Sequence, residues 1–459
     1  MTAMRYRFLF KAPLLIICLV LFSHLIQAQS YQGPHLSQYD PLKTTYFNPA
    51  SLPQSEMRWQ VNILSLDVHA GNNLFQVASL KGILKEFDPY DFFKLKMDGR
   101  RKYANINSDI RGPGFMFNFG KNSISVGTRI KEVASVNNLN EDLAYALFYH
   151  FDNLGVYLPS IKDEKLSISV NAYAEYSIAY ARKLFSNDKH ALSAGVNFKL
   201  LDKIFYGTLD GKNIQFDKNE SFKDETVNVK RSEFDLIISD DLEGKKFKHD
   251  WGIDGWAIDA GVEYVLKSSM SSSYRLKVGL ALNDFGTLKQ KIGNNSFHFV
   301  GNNKDVPYRN IDFEDADYDG FKQVLDSLGT RTERTGKKDI TLPSTLNAYV
   351  DFRILTKLFV YGGIQVNPYD FKKKEGLANL PTRLTLIPRF ELKQIGVYAP
   401  IGWDKYEGFS TGVGVRLWQF SLGSSNIISS IAKNDYSGVN FFISTSIGGK
   451  RRLPDAKVL

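Results

Sequence analysis

The chain is almost free of cysteine. Its 459 residues contain one, Cys18, which lies in an apolar run at residues 12–22 behind a short basic stretch. This arrangement is typical of a secretory signal peptide, because the run is too short to span a bilayer. We therefore predict a signal peptide at residues 1–28, cleaved after Ala28. Since cleavage would remove Cys18, disulfides and thiol chemistry are excluded from the predicted mature protein.

The predicted mature chain also lacks a run of about 18 apolar residues, which excludes a transmembrane helix. Its lysines are scattered, and no basic stripe or binding motif predicts a nucleic-acid partner. Residues 1–28 carry three basic and no acidic residues, so their removal lowers the formal net charge from +9 to +6. Aromatic residues, in contrast, make up 13% of the sequence. An exported, aromatic-rich chain without such a helix is either soluble or a membrane β-barrel.

Apolar and polar residues alternate in several segments. In "STLNAYVDFRIL" (344–355) and "RLTLIPRFEL" (383–392) every second residue is apolar, and several residues between them are charged. Because side chains alternate across a strand with period 2, each segment predicts a strand with one apolar and one polar face. In a membrane barrel the polar face lines the lumen. The charged residues predicted to face the lumen are Asp351, Arg353, Arg383, Arg389, Glu391 and Arg416.

About fourteen such segments fall within residues 58–449. They lie near 58–73, 114–120, 123–135, 166–185, 190–210, 255–267, 274–286, 342–355, 357–369, 382–390, 392–403, 408–416, 417–427 and 438–449. Connections after odd strands are mostly long and those after even strands are tight, as in outer-membrane barrels. We predict an all-β, monomeric, transmembrane antiparallel up-and-down barrel of about 14 strands, set in outer-membrane lipid and followed by a basic tail at residues 450–459.

The segment ahead of the first predicted strand reads "YFNPASL" and contains Asn48, Pro49 and Ala50. It resembles the N-terminal element of the long-chain fatty-acid transporter superfamily of outer-membrane barrels, in which such a tripeptide belongs to a hatch inside the lumen. "WQVNILSLDVHAGNN" (59–73) and "GLALNDFGTLK" (279–289) are similar to an uncharacterised family of unknown function within that superfamily. The resemblance implies a hatch-like segment at residues 29–57. Proline removes a ladder donor, which also fits a simple arm on the periplasmic rim.

The resemblance implies a function as well. Members of the superfamily bind or pass small apolar molecules across the outer membrane, and we expect the same here. The alternative is a non-transporting barrel that anchors or shuttles secreted or surface proteins, as a type IX secretion member of the superfamily does. A transporter should have an apolar pocket beneath the loops, whereas a scaffold should hold a protein partner.

Two motifs point to other chemistry. "GFSTG" (408–412) matches G-x-S-x-G, but a nucleophile elbow needs a strand-to-helix turn. Here the strand pattern continues, so we expect Ser410 to be a lumen-facing hydroxyl and the protein not to be an enzyme. "DADYDGFKQVLD" (315–326) places carboxylates at calcium-loop positions, although an acidic turn before a helix is the alternative. The candidate calcium ligands are Asp315, Asp317, Asp319 and Asp326. No other cofactor is expected.

Three further features interrupt the strand pattern. Residues 74–96 and 141–149 are helix candidates within long connections. Pro388 lies in the middle of a predicted strand, where it cannot donate to the ladder. It therefore predicts a local bulge or, as in related transporters, a kink that opens a lateral path for apolar ligands.

Overall fold

The computed structural model is a closed antiparallel β-barrel. The structure describes residues 34–77, 93–148, 161–221, 224–230, 232–239, 251–268, 274–303, 305–307, 318–368, 380–433 and 438–450. The predicted signal peptide and all but the first residue of the predicted basic tail lie outside these residues.

Fourteen strands form the barrel wall, which confirms the predicted fold class. They are β1 (Met57–Asn72), β2 (Lys102–Phe119), β3 (Asn122–Leu139), β4 (Ile161–Ser186), β5 (His190–Ser221), β6 (Gly255–Lys267), β7 (Tyr274–Ile292), β8 (Gly336–Thr341 and Thr345–Leu355), β9 (Leu358–Val366), β10 (Arg383–Glu391), β11 (Ile395–Tyr398 and Ile401–Asp404), β12 (Gly408–Thr411 and Val413–Leu417), β13 (Phe420–Ser424) and β14 (Gly438–Lys450). Each pairs with its neighbours in sequence. β1 also pairs with β14, with Met57 opposite Lys450 and Gly71 opposite Gly438. Closure leaves no open edge, as a lipid environment requires.

Shorter elements lie between the barrel strands and at the N-terminus. The additional strands are Phe75–Val77, Phe93–Leu95, Asp224–Val229, Glu233–Ile238, Phe297–Gly301, Asp305–Pro307 and Gly329–Glu333. The helices are α1 (Pro41–Thr45), α2 (Glu141–Phe148), α3 (Tyr318–Leu328) and α4 (Ile427–Lys433), with 3₁₀ turns at Pro34–Leu36 and Pro49–Gln54. No helix among the described residues has the length and apolar character needed to cross a bilayer.

The two faces of the wall differ as the alternation predicts. On β8, Val350 is 47% exposed whereas its neighbour Asp351 is 3% exposed. On β10, Leu384 and Leu386 are exposed whereas Arg383 is buried. The exposed apolar side chains form the outer surface of the barrel, and the polar ones point into it.

Strand lengths differ from the prediction at the loop end of the barrel. β2 begins at Lys102 rather than near 114, and β5 continues to Ser221 rather than to about 210. The sequence pattern marks only the part of a strand that has lipid on one side, and beyond the bilayer both faces meet protein or water. The strand predicted near 417–427 is present as β13 but is shorter and begins at Phe420, because a turn at residues 418–419 separates it from β12.

One helix prediction is confirmed, and the described ends of the other candidate are strands. Residues 141–148 form α2, and the Asn140 side chain accepts hydrogen bonds from the backbone N–H groups of Asp142 and Leu143 at 2.8 and 3.2 Å. The ends of the other candidate, residues 74–96, instead form a strand pair in which Phe75 lies opposite Leu95. Its centre, 78–92, lies outside the described residues. Apolar residues at mixed spacing did not predict the strands at these two ends.

Pro388 coincides with an interruption in the neighbouring strand. β10 runs through it unbroken, but β11 is split between Tyr398 and Ile401. There Ala399 donates its backbone N–H to the Pro388 carbonyl at 3.0 Å, and proline has no N–H to return. The irregularity therefore lies in β11, whereas the strand that contains Pro388 has no interruption.

Candidate functional site

Residues 34–56, which we call the luminal segment, lie against the inner faces of the barrel strands. Two of its short helices begin with proline, Pro41 and Pro49, whose fixed φ suits the first helical position. The Asn48 side chain caps the second by accepting from the Ala50 N–H at 3.0 Å. Asn48, Ala50 and Leu52 are fully buried. The segment therefore has a defined conformation inside the lumen.

The Asn48-Pro49-Ala50 tripeptide contacts three strands. Asn48 Nδ2 donates to the Tyr349 hydroxyl and to the Val262 carbonyl, each at 3.1 Å. Ser193 donates its hydroxyl to the Ala50 carbonyl at 2.7 Å. These bonds join the tripeptide to β8, β6 and β5.

Two wall glycines make room for the tripeptide. A Cβ at Gly195 would lie 2.6 Å from the carbonyl carbon of Pro49. A Cβ at Gly261 would lie 2.2 Å from Asn48 Oδ1. The backbone of β5 and β6 thus approaches the segment more closely than any larger residue would allow.

A belt of buried, paired charges surrounds the middle of the luminal segment. Arg129 binds Asp109 at 2.8 Å and Glu175 at 3.1 Å, and Lys199 Nζ lies 2.8 Å from Asp259 Oδ1. We call the set the charged belt; its members are Asp109, Arg111, Arg129, Lys131, Glu175, Lys199, Asp259 and Asp284. A buried charge is tolerated when it is paired and hydrogen-bonded.

Tyr46 of the luminal segment lies within the charged belt. Its ring centroid is 4.6 Å from the Arg111 guanidinium carbon and 5.1 Å from that of Arg129. Its hydroxyl contacts the Ser177 hydroxyl at 3.2 Å. An aromatic face between cations is electrostatically favourable, so Tyr46 ties the segment to the belt.

Most of the predicted luminal charges form a second buried cluster. Arg389 makes a bidentate contact with Asp351 at 2.9 and 2.7 Å, and its Nε lies 3.5 Å from Glu391. Glu391 in turn lies 3.7 Å from Arg416. Arg353 does not join them; it is half-buried and contacts Ser268 near the short turns.

Arg383 and Ser410 meet elsewhere on the inner wall. The Arg383 guanidinium donates to the Ser410 hydroxyl at 3.0 Å, and Ser410 is buried on β12. Ser410 therefore lies on a strand rather than at a strand-to-helix turn, which gives it none of the geometry of a nucleophile elbow.

The candidate calcium ligands are only partly described. Asp315 and Asp317 lie outside the described residues, and Asp319 belongs to the first turn of α3. Asp326 Oδ1 and Oδ2 accept from Arg331 at 3.0 and 3.1 Å. Calcium binding stays a prediction.

The sequence analysis did not single out the charged belt. Its residues sit at alternating inward positions, as in "INSDIRG" of β2 and "TRIKE" of β3, and this periodic signal could have identified them. Residues 104–111 lie outside the predicted strands, although their inward polar residues alternate with Ala104, Ile106 and Ile110 and only Ser108 breaks the pattern.

Apolar side chains line the inner wall on both sides of the charged belt. Toward the loops they form a buried layer of Tyr173, Leu201, Tyr206, Ile237, Ala257, Leu288, Ile340 and Leu342. Toward the short turns the layer consists of Ala191, Val265, Tyr274 and Phe359. A cavity of about 30 Å³ beside the luminal segment, lined by His35, Phe47 and Tyr361 among others, has room for only two or three waters.

Comparisons with known proteins give one family match. No curated protein matches the chain. Among solved structures, a FadL homologue from Pseudomonas aeruginosa is 11% identical, with 92% of this chain and 94% of that chain covered and a TM-score of 0.41. The Pseudomonas putida toluene transporter TodX is 8% identical (92% and 97% covered, TM-score 0.43), and the Ralstonia pickettii toluene transporter TbuX is 9% identical (89% and 93% covered, TM-score 0.39). A family of unknown function, DUF5723, matches residues 49–424, which confirms the predicted kind of family. The chain belongs to that family, DUF5723.

Proposed function

We propose that this protein is an outer-membrane barrel that binds a small apolar molecule in its lumen and passes it across the membrane. The observation that carries the proposal is the apolar layer on the inner wall above the charged belt. A barrel that conducts water and ions has a polar inner wall. An apolar inner wall is stable only where protein or an apolar ligand covers it, since water contact costs about 25 cal/mol per Å².

The luminal segment acts as the gate in this proposal. Its contacts with β5, β6 and β8 occupy the centre of the lumen, so transport requires that they break. The bonds of the Asn48 tripeptide to the wall are mostly neutral hydrogen bonds, each with a modest net contribution of about 1 kcal/mol. Release of the segment would leave the belt's own ion pairs intact, because they join wall strands to one another.

The outer surface of the barrel supports a location in the outer membrane. Exposed apolar side chains such as Ile178, Val196, Val262 and Val350 cover the wall, which no aqueous compartment would accommodate. Closed barrels without exposed edges are the β-structures that cross bilayers.

The test is mass spectrometry of organic extracts from the purified full-length barrel, beside an unrelated barrel from the same membrane. We expect one apolar molecule near one per barrel. Leu288→Gln should reduce it, because Leu288 lies in the inner layer; Leu325→Gln, at a buried leucine of α3 outside the lumen, should not. An extract identical to that of the control barrel would overturn the proposal.

A second candidate function rests on the loop end. There the extension of β5, strands Glu233–Ile238 and Phe297–Gly301, and α3 pack around their own apolar cluster of Leu236, Phe297, Phe299, Leu325 and Leu328. A structured platform above an occluded lumen suits a barrel that holds a secreted or surface protein. Crosslinking in intact cells distinguishes the two: a stoichiometric protein partner, with no apolar molecule retained, would favour the scaffold.

A further inference from the structure

The connection between β11 and β12 is short, although it lies at the loop end of the barrel. Residues 405–407 fold inward across the mouth. Tyr406 donates its hydroxyl to Asn137 Oδ1 of β3 at 2.9 Å, and Lys405 Nζ lies 5.3 Å from the Tyr103 ring centroid on β2. The Asn426 amide donates to Glu407 Oε1 at 2.7 Å. The turn therefore spans the mouth from β11 to β2 and β3.

Three side chains with metal-binding atoms meet beneath this turn. They are His69 of β1, Asp404 at the end of β11, and Glu407 of the turn; one ligand atom from each lies within 4.8 Å of the others. His69 Nε2 is 3.4 Å from Glu407 Oε2. His69 and Asp404 are each 1% exposed. Asp404 and Glu407 are neighbours in sequence, and barrel closure brings the distant His69 to them.

Two buried atoms of this group lack a hydrogen bond. Within the described part of the chain, neither His69 Nδ1 nor Asp404 Oδ2 has a hydrogen-bond partner. An unsatisfied buried polar atom costs about 1–3 kcal/mol, and native proteins rarely keep one without a reason. His69 Nε2 faces Glu407, and Asp404 Oδ2 has only a 3.6 Å contact to Arg383 Nη1, so both atoms can coordinate a cation.

We propose that His69, Asp404 and Glu407 bind a divalent transition-metal ion, which fastens the 405–407 turn over the mouth of the barrel. One imidazole and two carboxylates suit Zn²⁺ or Mn²⁺, and Zn²⁺ binds such ligands at about 2.0–2.2 Å. Ligand atoms around a tetrahedral ion would then lie about 3.4 Å apart, so the side chains would have to approach one another by up to about 1.4 Å. The metal would link His69 of β1 to Glu407 of the turn.

Arg383 is the competitor for the two carboxylates. Its Nη2 is 3.4 Å from Glu407 Oε2 and its Nη1 is 3.6 Å from Asp404 Oδ2, whereas its bond to Ser410 is 3.0 Å. A divalent ion carries twice the charge of the guanidinium and would coordinate the two carboxylates directly. The guanidinium would then keep its hydrogen bond to Ser410 and lose its longer contacts with Asp404 and Glu407. Arg383→Met should therefore tighten metal binding, whereas a purely structural ion pair would gain no metal affinity from this change.

The first experiment measures retained metal. The full-length barrel in detergent is stripped with chelator, dialysed against Zn²⁺ or Mn²⁺, and analysed by plasma mass spectrometry. We expect about one ion per barrel, and at least about tenfold weaker binding in His69→Gln and Asp404→Asn, equal to about 1.4 kcal/mol. Glu407→Gln, which changes only the turn, covers the case in which a strand variant does not fold.

The matched control is His298→Gln. His298 Nδ1 lies 3.0 Å from Asp235 Oδ1, which makes a histidine–carboxylate pair outside the barrel wall. Its removal should leave metal binding unchanged. Absence of retained metal in the wild type, or equal loss in His298→Gln, would overturn the proposal.

The second experiment tests the fastening of the turn. Trypsin cleavage after Lys405 should slow at least about tenfold when Zn²⁺ is added to the stripped wild type, with no such change in Glu407→Gln. Cleavage that is insensitive to metal would show that the ion does not hold the turn. Neither retained metal nor trypsin cleavage depends on the molecule that the lumen carries. The tests of the metal site and of the proposed transport are therefore independent.

Discussion

Asn48 Nδ2 donates to the hydroxyl of Tyr349 at 3.1 Å across a sequence separation of 301 residues. Tyr349 also donates to Glu263 Oε2 of β6 at 2.6 Å. The luminal segment is thus part of a continuous hydrogen-bond network with the wall. A network of this kind holds the segment in one position, and its individual bonds can be tested.

Asn48→Ala should loosen the segment. The change removes two bonds to the wall and the cap on the Ala50 N–H, so we expect a loss of about 1–3 kcal/mol in the free energy of unfolding. Channel conductance in planar bilayers should rise as well. Gln54→Ala is the control, because Gln54 donates a single bond to Ser193 at 3.1 Å and is half-buried. Equal effects of both variants would show that the tripeptide has no special role.

Gly261→Ala should displace the luminal segment by a change in the barrel wall instead of in the segment itself. The new methyl would lie 2.2 Å from Asn48 Oδ1, and overpacking of this kind costs about 1–3 kcal/mol. We expect a lower unfolding midpoint and a conductance above that of the wild type. Gly362→Ala is the matched control, since a Cβ there meets nothing within 4 Å. Wild-type conductance in Gly261→Ala would argue against a gate formed by the segment.

Two substitutions of Tyr46 distinguish the contribution of its ring to stability from that of its hydroxyl. Tyr46→Phe keeps the ring beside Arg111 and Arg129 and loses only the contact to Ser177, so its cost should be small. Tyr46→Leu also loses the cation–π contacts and should cost about 2 kcal/mol more. Denaturant unfolding of both variants measures the difference. Identical stabilities would show that the belt does not depend on the ring.

Arg389 and Asp351 should behave as a coupled pair. Arg389→Met or Asp351→Asn alone leaves a buried group without its partner and should cost about 3–5 kcal/mol. The double variant should cost less than the two single losses together, by about 1–3 kcal/mol. Arg353→Met, at the half-buried arginine outside the cluster, should change stability by less than about 0.5 kcal/mol. Additive losses would contradict the coupling.

The raised pKa of Tyr39, a residue of the luminal segment, predicts that the protein loses stability at alkaline pH. Burial raises the pKa of Tyr39 to about 12, from its ordinary value near 10. Between pH 10 and 12 the folded protein keeps the phenolic proton that the unfolded chain releases, so stability falls as the pH rises through this window. In Tyr39→Phe this part of the decline should vanish, whereas the difference between the proteins should stay constant below pH 10. Unfolding curves from pH 8 to 12 measure it, and parallel declines would contradict the assignment.

The sequence alone determined the barrel. Lipid on one side of each strand and the lumen on the other impose a period of two, and "STLNAYVDFRIL" shows it without any tertiary information. Asp351, Arg383, Arg389, Glu391 and Arg416, which this alternation predicts to face the lumen, are buried. It also marked the strands only where they cross the bilayer, so the extensions of β2 and β5 were missed.

Only the tertiary structure decided which inward groups meet. Arg389 pairs with Asp351 across 38 residues, and Lys199 with Asp259 across 60, because strand order and register set these neighbours. His69 and Glu407 lie 338 residues apart in sequence and come together because β1 closes on β14 and the β11–β12 turn folds over the mouth. A local pattern records which face of a strand a residue occupies, whereas its partners depend on the closure of the whole barrel.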